Sequence, residues 1–242
     1  MLTCHQLSGN LTLVIVFQPI FSKFTIKLND IELENCDSYK YLGVFFDKDL
    51  NWKTHIDYVS KKISKSCGIL AKLRHCLEID TLREVYHALI HSYLRYGIIA
   101  WGSATKTTLN KLQILANREL RIMSFAPFGH IDLNPLYEIL EILKIEDIYK
   151  LEIAKLAFKQ HNNLLPVKIA SYFEAPLVNN LRRSSRLNSR TQAVISNTTF
   201  GSRSLQQKIR QVWNEIPEEI KNTSYFNSYK KILKSHLILL YF

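Results

Sequence analysis

The chain is 242 residues long, with 47% apolar residues and a formal charge of +11, long enough for one large domain or two small ones around a real core. The charge is regional: residues 85–118 hold four basic residues and no acid, residues 175–214 hold seven and no acid, and the remainder balances at 21 against 21. That distribution excludes a uniformly basic surface and is the one expected of a face that binds a polyanion.

In chain order, Phe24-Thr25-Ile26-Lys27-Leu28 alternates apolar and polar residues. Asn29-Asp30 can supply left-handed turn geometry and Ile31-Glu32-Leu33 alternates again, so residues 24–33 read as a β-hairpin. Tyr41 to Phe46 reads as a third strand, nearly continuously apolar and so expected to be covered on both faces. From Asn51 onward the hydrophobic period changes from two to 3.6, and the rest of the chain is expected to be mainly helical. The fold class is therefore mainly α, a helical bundle with a small N-terminal hairpin and a three-strand edge.

The first helix puts Trp52, Ile56, Val59, Ile63, Cys67, Leu70 and Leu73 on one stripe, with Lys61, Lys65 and Lys72 on the opposite side. Asp80 or Thr81 is expected to cap the next helix, with Glu84 completing a capping box and Leu82, Val85, Tyr86, Leu89 and Tyr93 facing inward. A third helix is predicted over residues 108–125, with Leu109, Leu112, Leu115, Ala116 and Met123 inward. Asn134 as cap and Pro135 at the first helical position start a fourth, with a stripe of Leu136, Ile139, Leu140 and Leu143. Another helix is predicted over 146–162. Residues 175–203, rich in Asn, Ser, Thr and Arg, read as a loop or a segment ordered by a partner. Helices over 204–213 and around Phe226, Tyr229, Leu233 and Leu237 end the chain. The corresponding domains are 1–50, 51–166 and 167–242.

Cys4, Cys36, Cys67 and Cys76 have no C-x-x-C spacing and read as thiols in a reducing, intracellular compartment, cytoplasmic or nuclear, with no metal framework. The apolar run from Leu11 to Phe17 is far shorter than the ~20 residues of a membrane span, which argues against a signal peptide or anchor and against a membrane partner.

Asp47-Lys48-Asp49 is a close carboxylate pair at a strand end, of the kind a two-metal site requires. The reading set beside it is that these aspartates end the strand and favour the next helix by accepting from its free amides. His87 and His91 lie one helical turn apart, but Ala88 stands where the H-E-x-x-H pattern needs glutamate, so they are expected to flank a buried face. No glycine-rich phosphate loop is present. Lys61, Lys65 and Lys72 span roughly 16 Å at ~1.5 Å per residue, enough to follow several phosphates. Arg182, Arg183, Arg186 and Arg190 form a second basic cluster, bordered by Asn and Ser and free of acid. A solvated helix face and a plain basic loop are the alternatives for these two clusters.

Several motifs occur in an order found together elsewhere. Tyr41-Leu42-Gly43 with Leu50 and Trp52 resembles the primer grip of reverse transcriptases from LINE-type (non-LTR, jockey-like) retrotransposons, the run from Tyr86 to Gly97 with Trp101-Gly102 their thumb signature, Leu112 to Arg121 the helix after it, and Arg182, Gly201 to Leu205 and Trp213-Asn214-Glu215-Ile216-Pro217 their C-terminal tail. The resemblance covers about residues 24–235. It implies that Tyr41, Leu42 and Gly43 abut a primer end, glycine allowing close backbone approach. It also implies that the partner is an RNA or DNA duplex held nonspecifically through its phosphates, by Lys61, Lys65, Lys72 and Arg182 to Arg190.

The sequence departs from that family in one respect that bears on catalysis. Enzymes of this type carry metal-binding aspartates in an aromatic-x-Asp-Asp turn and in an earlier palm strand, upstream of the grip. This sequence contains no Asp-Asp pair, and residues 1–23 show neither the turn nor the Asn and Lys-Thr motif that follows it. The chain therefore looks like a truncated element copy or partial gene model. It is expected to hold no cofactor and no catalytic residue of its own, magnesium needing the palm that is missing. Three alternatives stand beside this reading: activity with a palm supplied by another chain, a helical protein-interaction scaffold, and a translated remnant without selected function.

Overall fold

A computed structural model describes residues 2–7, 10–15, 27–28, 31–32, 34–127, 129, 131–174 and 199–241. The chain divides into two compact units: Met1–Tyr93 with Ala104–Ile122, and Leu94–Ser103 with Met123–Phe242.

The first unit opens on short antiparallel strands. β1 (Leu2–Leu7) pairs with β2 (Asn10–Ile15), Leu2 opposite Ile15; neither strand was expected. β3 (Lys27–Leu28) and β4 (Ile31–Glu32) form a hairpin with Lys27 opposite Glu32. This agrees with the predicted hairpin, of which residues 24–26, 29–30 and 33 lie outside the described residues. β5 (Glu34–Cys36) takes the free edge of β1, giving the order β2-β1-β5.

β6 (Ser38–Tyr41) and β7 (Val44–Asp47) form a second hairpin, with Tyr41 opposite Val44. The expected single strand from Tyr41 to Phe46 is thus broken at Leu42-Gly43, a two-residue turn with positive φ at both positions, 44° and 82°. Primed turns of this kind match strand twist. Glycine adopts the geometry freely, whereas leucine is strained by it. The apolar run misled because alternation breaks where a turn interrupts it. Val44 and Asp47 are buried, Phe45 and Phe46 half-buried, and the tip is exposed.

α1 (Lys53–Leu73) buries Ile56, Val59, Ile63, Cys67 and Leu70, as the stripe predicts, with Trp52 buried at its start and Leu73 half-buried. Its start differs from expectation. Asn51 Oδ1 accepts from the Lys53 amide at 3.0 Å, and neither aspartate side chain caps the helix.

α2 (Ile79–Tyr86) starts before Asp80, with Glu78 at its N-cap position and no side-chain cap; Asp80 pairs instead with Arg83 at 3.6 Å. The capping box is therefore not formed. A π-helical turn, His87–His91, leads into α3 (Ser92–Arg95). Such a turn adds a residue to the repeat, so the buried series becomes Leu82, Tyr86, Ile90, Leu94, while Tyr93 is 37% exposed rather than inward. α1 packs on both α2 and the π turn. α5 (Lys106–Met123) completes this unit with Leu109, Leu112, Ala116 and Leu120 buried.

The second unit is built on α7 (Ile145–His161), against which α4 (Ile98–Trp101), α10 (Leu205–Glu215) and α12 (Phe226–Leu239) pack. Because α7 has neighbours on several sides, Ile148, Ile153, Ala154, Ala157 and Phe158 are all buried. Phe158 stacks on Tyr229 at 4.3 Å, and the Tyr229 hydroxyl donates to the Ala154 carbonyl at 3.3 Å. Glu152 accepts from Lys155 and Arg95, both at 2.6 Å. α6 (Asn134–Ile139) buries Tyr137 and leaves Ile139 69% exposed, against the expected stripe, whereas Leu140 and Leu143, beyond its end, are buried as that stripe expects. Leu133 holds the α6 N-cap position with no side-chain cap, and Asp132 Oδ1, just before it, accepts from the Asn134 amide. α8 (Val167–Glu174), α9 (Thr199–Ser202) and α11 (Glu218–Lys221) complete the unit.

Candidate nucleic-acid interface

Two surface features of the first unit hold the residues singled out in the sequence: the apolar tip of the β6–β7 hairpin and the lysine-bearing outer face of α1. At the tip, Tyr41 is 45% and Leu42 71% exposed. A large apolar side chain in a left-handed turn both strains the backbone and meets solvent, an outlier of the kind that clusters at contact sites.

The hairpin is anchored to α1 by aromatic packing. Phe45 meets Tyr58 at 5.1 Å and Phe46 meets Trp52 at 5.4 Å. Lys40 Nζ lies over both the Phe45 and Tyr58 rings, at 5.4 and 5.2 Å, and Lys62 Nζ lies over Tyr58 at 5.6 Å. His55 Nδ1 accepts the Phe45 amide at 3.3 Å. Burial drives the His55 pKa down to about 4, the nearby Asp47 charge opposing it, so the ring is neutral at physiological pH. Sequence reasoning missed His55, although it lies three residues from Trp52 on the same stripe.

Lys61, Lys65 and Lys72 are all exposed. At ~100° per residue they fall within about 40° of one another on the helix, a single stripe opposite the buried face. Gly68 lies on the same side, and a Cβ there would meet nothing within 4 Å. Asp57 is the acidic neighbour on this face, and Lys111 pairs with it at 2.9 Å.

The second predicted cluster, Arg182, Arg183, Arg186 and Arg190, lies outside the described residues. Asp47 is buried, with no hydrogen bond to either oxygen among the described residues, whereas Asp49 is exposed. The pair is thus split between interior and solvent. Among the described residues no three His, Cys, Asp or Glu side chains converge on a metal position. The His87 and His91 rings meet edge to face at 4.9 Å, half-buried beside the core as expected. No described helix is long and apolar enough to cross a membrane.

A further buried group went unforeseen. Glu119, fully covered, accepts from the Cys67 thiol at 3.2 Å through Oε1 while Oε2 has no partner among the described residues. Burial raises its pKa to about 8 and that of Cys67 to about 12. The spacing from Leu112 through Ala116 to Glu119 marks it as inward, but a charged residue there reads as solvated.

No family model matches the chain, and no solved structure matches it significantly. Three curated proteins are similar. One is the RNA-directed DNA polymerase from mobile element jockey of Drosophila funebris, 31% identical over 143 residues, which is 57% of this chain and 15% of that protein. Its Drosophila melanogaster counterpart is 30% identical over 107 residues, 43% of this chain and 12% of that protein. The third is the probable RNA-directed DNA polymerase from transposon BS of Drosophila melanogaster, 30% identical over 118 residues, 45% of this chain and 13% of that protein. The matched parts thus span about one seventh of these relatives, and the resemblance to non-LTR retrotransposon enzymes read from the sequence holds for about half of this chain.

Proposed function

We propose that this chain, similar to part of the jockey-type RNA-directed DNA polymerases, is the primer-grip and thumb portion of such an enzyme and serves to hold a primer–template duplex. The observation that carries the reading is the exposed, strained Leu42 beside Tyr41 and Gly43, on a hairpin whose packing fixes it to the helix bearing Lys61, Lys65 and Lys72. In this reading the tip abuts the primer end through apolar contact and close backbone approach, while the lysines follow phosphates over about 16 Å of helix. Arg182, Arg183, Arg186 and Arg190 add nonspecific phosphate contacts. Nucleotide addition requires carboxylates that clamp magnesium, and the reading assigns that task to residues outside this sequence.

Phosphate contact by Lys61, Lys65 and Lys72 has a measurable signature. Each duplex phosphate neutralised contributes about 0.9 to the slope of log affinity against log salt. Fluorescence anisotropy with a short RNA–DNA duplex should therefore give a steep salt dependence. The triple variant Lys61→Ala, Lys65→Ala, Lys72→Ala should lower that slope by roughly 2 to 3. An unchanged slope in a folded triple variant would remove α1 from the interface.

A further inference from the structure

In the second unit, α7, α8 and α10 enclose a pocket of about 140 Å³. Its apolar wall is Phe173, Ile209 and Trp213, all buried, and its polar side is Gln160, His161, Gln206 and Arg210. None of the residues lining it is acidic. Arg210 Nη1 is shielded from solvent and makes no hydrogen bond among the described residues. A covered guanidinium N–H without an acceptor is costly, more so than a neutral donor, because its lost hydration is not replaced. The geometry therefore asks for an anion.

The surroundings narrow the choice. The His161 ring stacks on Trp213 at 4.3 Å and 13°, and Lys221 Nζ lies over the same indole at 5.6 Å. The indole is thus already covered by partners, of which Lys221 is the cationic one. Lys221 is neutralised in part by Glu218 at 2.9 Å, outside the pocket lining. Burial and the Lys221 charge both lower the His161 pKa. A volume near 140 Å³ is about that of cavities that hold one benzene ring. It admits a phosphate group and the first atoms of an ester but not an intact nucleotide. A guanidinium and two carboxamides line the one pocket, and together they hold the N–H donors that a tetrahedral oxyanion needs.

We infer that the pocket between α7, α8 and α10 binds a single phosphate group, held by Arg210 with Gln160 and Gln206 as supporting donors. The site goes beyond the duplex reading and uses none of the residues on the α1 face. Its source is either free phosphate or the phosphate ester at a nucleic-acid end, and the two share this chemistry.

The test is a titration of the full chain with inorganic phosphate at constant ionic strength, followed by phosphorus NMR line broadening and calorimetry. One saturable site is expected, with affinity reduced at least tenfold in Arg210→Met and unchanged in the Lys61, Lys65 and Lys72 triple alanine variant. Methyl phosphate binding more tightly than phosphate assigns the site to an ester; equal or weaker binding assigns it to the free ion, and both support the inference. If Arg210→Met does not fold, Gln160→Ala should weaken phosphate at least threefold. Phosphate no more effective than chloride, acetate binding as tightly as phosphate, or unaltered affinity in a folded Arg210→Met or Gln160→Ala variant would overturn it.

Discussion

Glu119→Gln is expected to stabilise the chain at pH 9 by about 3 kcal/mol while changing it by no more than about 1 kcal/mol at pH 4.5. The cause is the position of Glu119, buried at the Cys67 thiol with only one carboxylate oxygen hydrogen-bonded among the described residues. Its folded pKa stands near 8, raised from an ordinary 4.5. A folded pKa above the unfolded one means that the folded state holds the proton more tightly. The stability this confers is complete below pH 4.5 and drains away as pH rises through about 8. The full shift corresponds to roughly 4–5 kcal/mol at about 1.36 kcal/mol per unit, and water entering the site trims it toward ~3 kcal/mol. Gln keeps an oxygen for the Cys67 S–H but cannot ionise. The amide it adds there lacks an acceptor and costs about 1 kcal/mol, which sets the low-pH limit. Urea denaturation at the two pH values measures the difference directly. Equal denaturation midpoints for the two proteins at pH 9 would show that Glu119 is solvated. His55 works in the opposite sense: its folded pKa is depressed from 6.5 to about 4, so its contribution is complete above 6.5 and lost as pH falls through 4. Together they place the stability maximum between about pH 4.5 and 6.5, where the two opposing slopes cancel.

Gly102→Ala is expected to cost at least about 3 kcal/mol, although the φ of Gly102, −66°, suits any residue. The obstacle is space. A Cβ at this position would lie 2.6 Å from the Ile98 carbonyl oxygen and 2.8 Å from Cγ of the Tyr149 ring. Tyr149 belongs to α7, the helix on which the second unit is built, so relief requires moving that ring or the α4 backbone. Gly68→Ala is the control with the opposite sign. On the exposed face of α1 the new methyl meets nothing within 4 Å, and glycine to alanine in a helix interior gains about 0.5–1 kcal/mol. Thermal melts of the two variants should move apart in opposite directions. A neutral Gly102→Ala would mean that α4 and α7 are not in close contact.

Much of this was legible in the chain. The mainly α class and the α1 stripe follow from periodicity, because a helix that buries one face writes a 3.6-residue period into its sequence, whereas α7, covered on several sides, carries no such stripe. What failed was local. The tip at Leu42-Gly43 lay hidden in an apolar run, since Leu42 adopts turn geometry that leucine does not advertise. The π turn at His87–His91 moved the inward face by one residue, so Tyr93 was assigned where Leu94 lies. Caps were misplaced at Asp80 and Asn134 because Ser, Thr, Asp and Asn occur near many helix starts without capping them. At the candidate interface, the exposure of Lys61, Lys65 and Lys72 was readable from spacing alone. The burial of His55 and Glu119 was not, because polar residues on an apolar stripe carry no mark of which partners will satisfy them.

The proposed function requires a duplex lying along α1 with its primer end at the β6–β7 tip. A primer carrying a photoreactive base at its 3′ end, annealed to an RNA template and irradiated with the chain, reports that placement directly. Crosslinked peptides should contain Tyr41 to Gly43, and the duplex should shield Lys61, Lys65 and Lys72 from amine labelling. Crosslinks confined to other segments, with those lysines labelled as fast in the presence of duplex as without it, would contradict it.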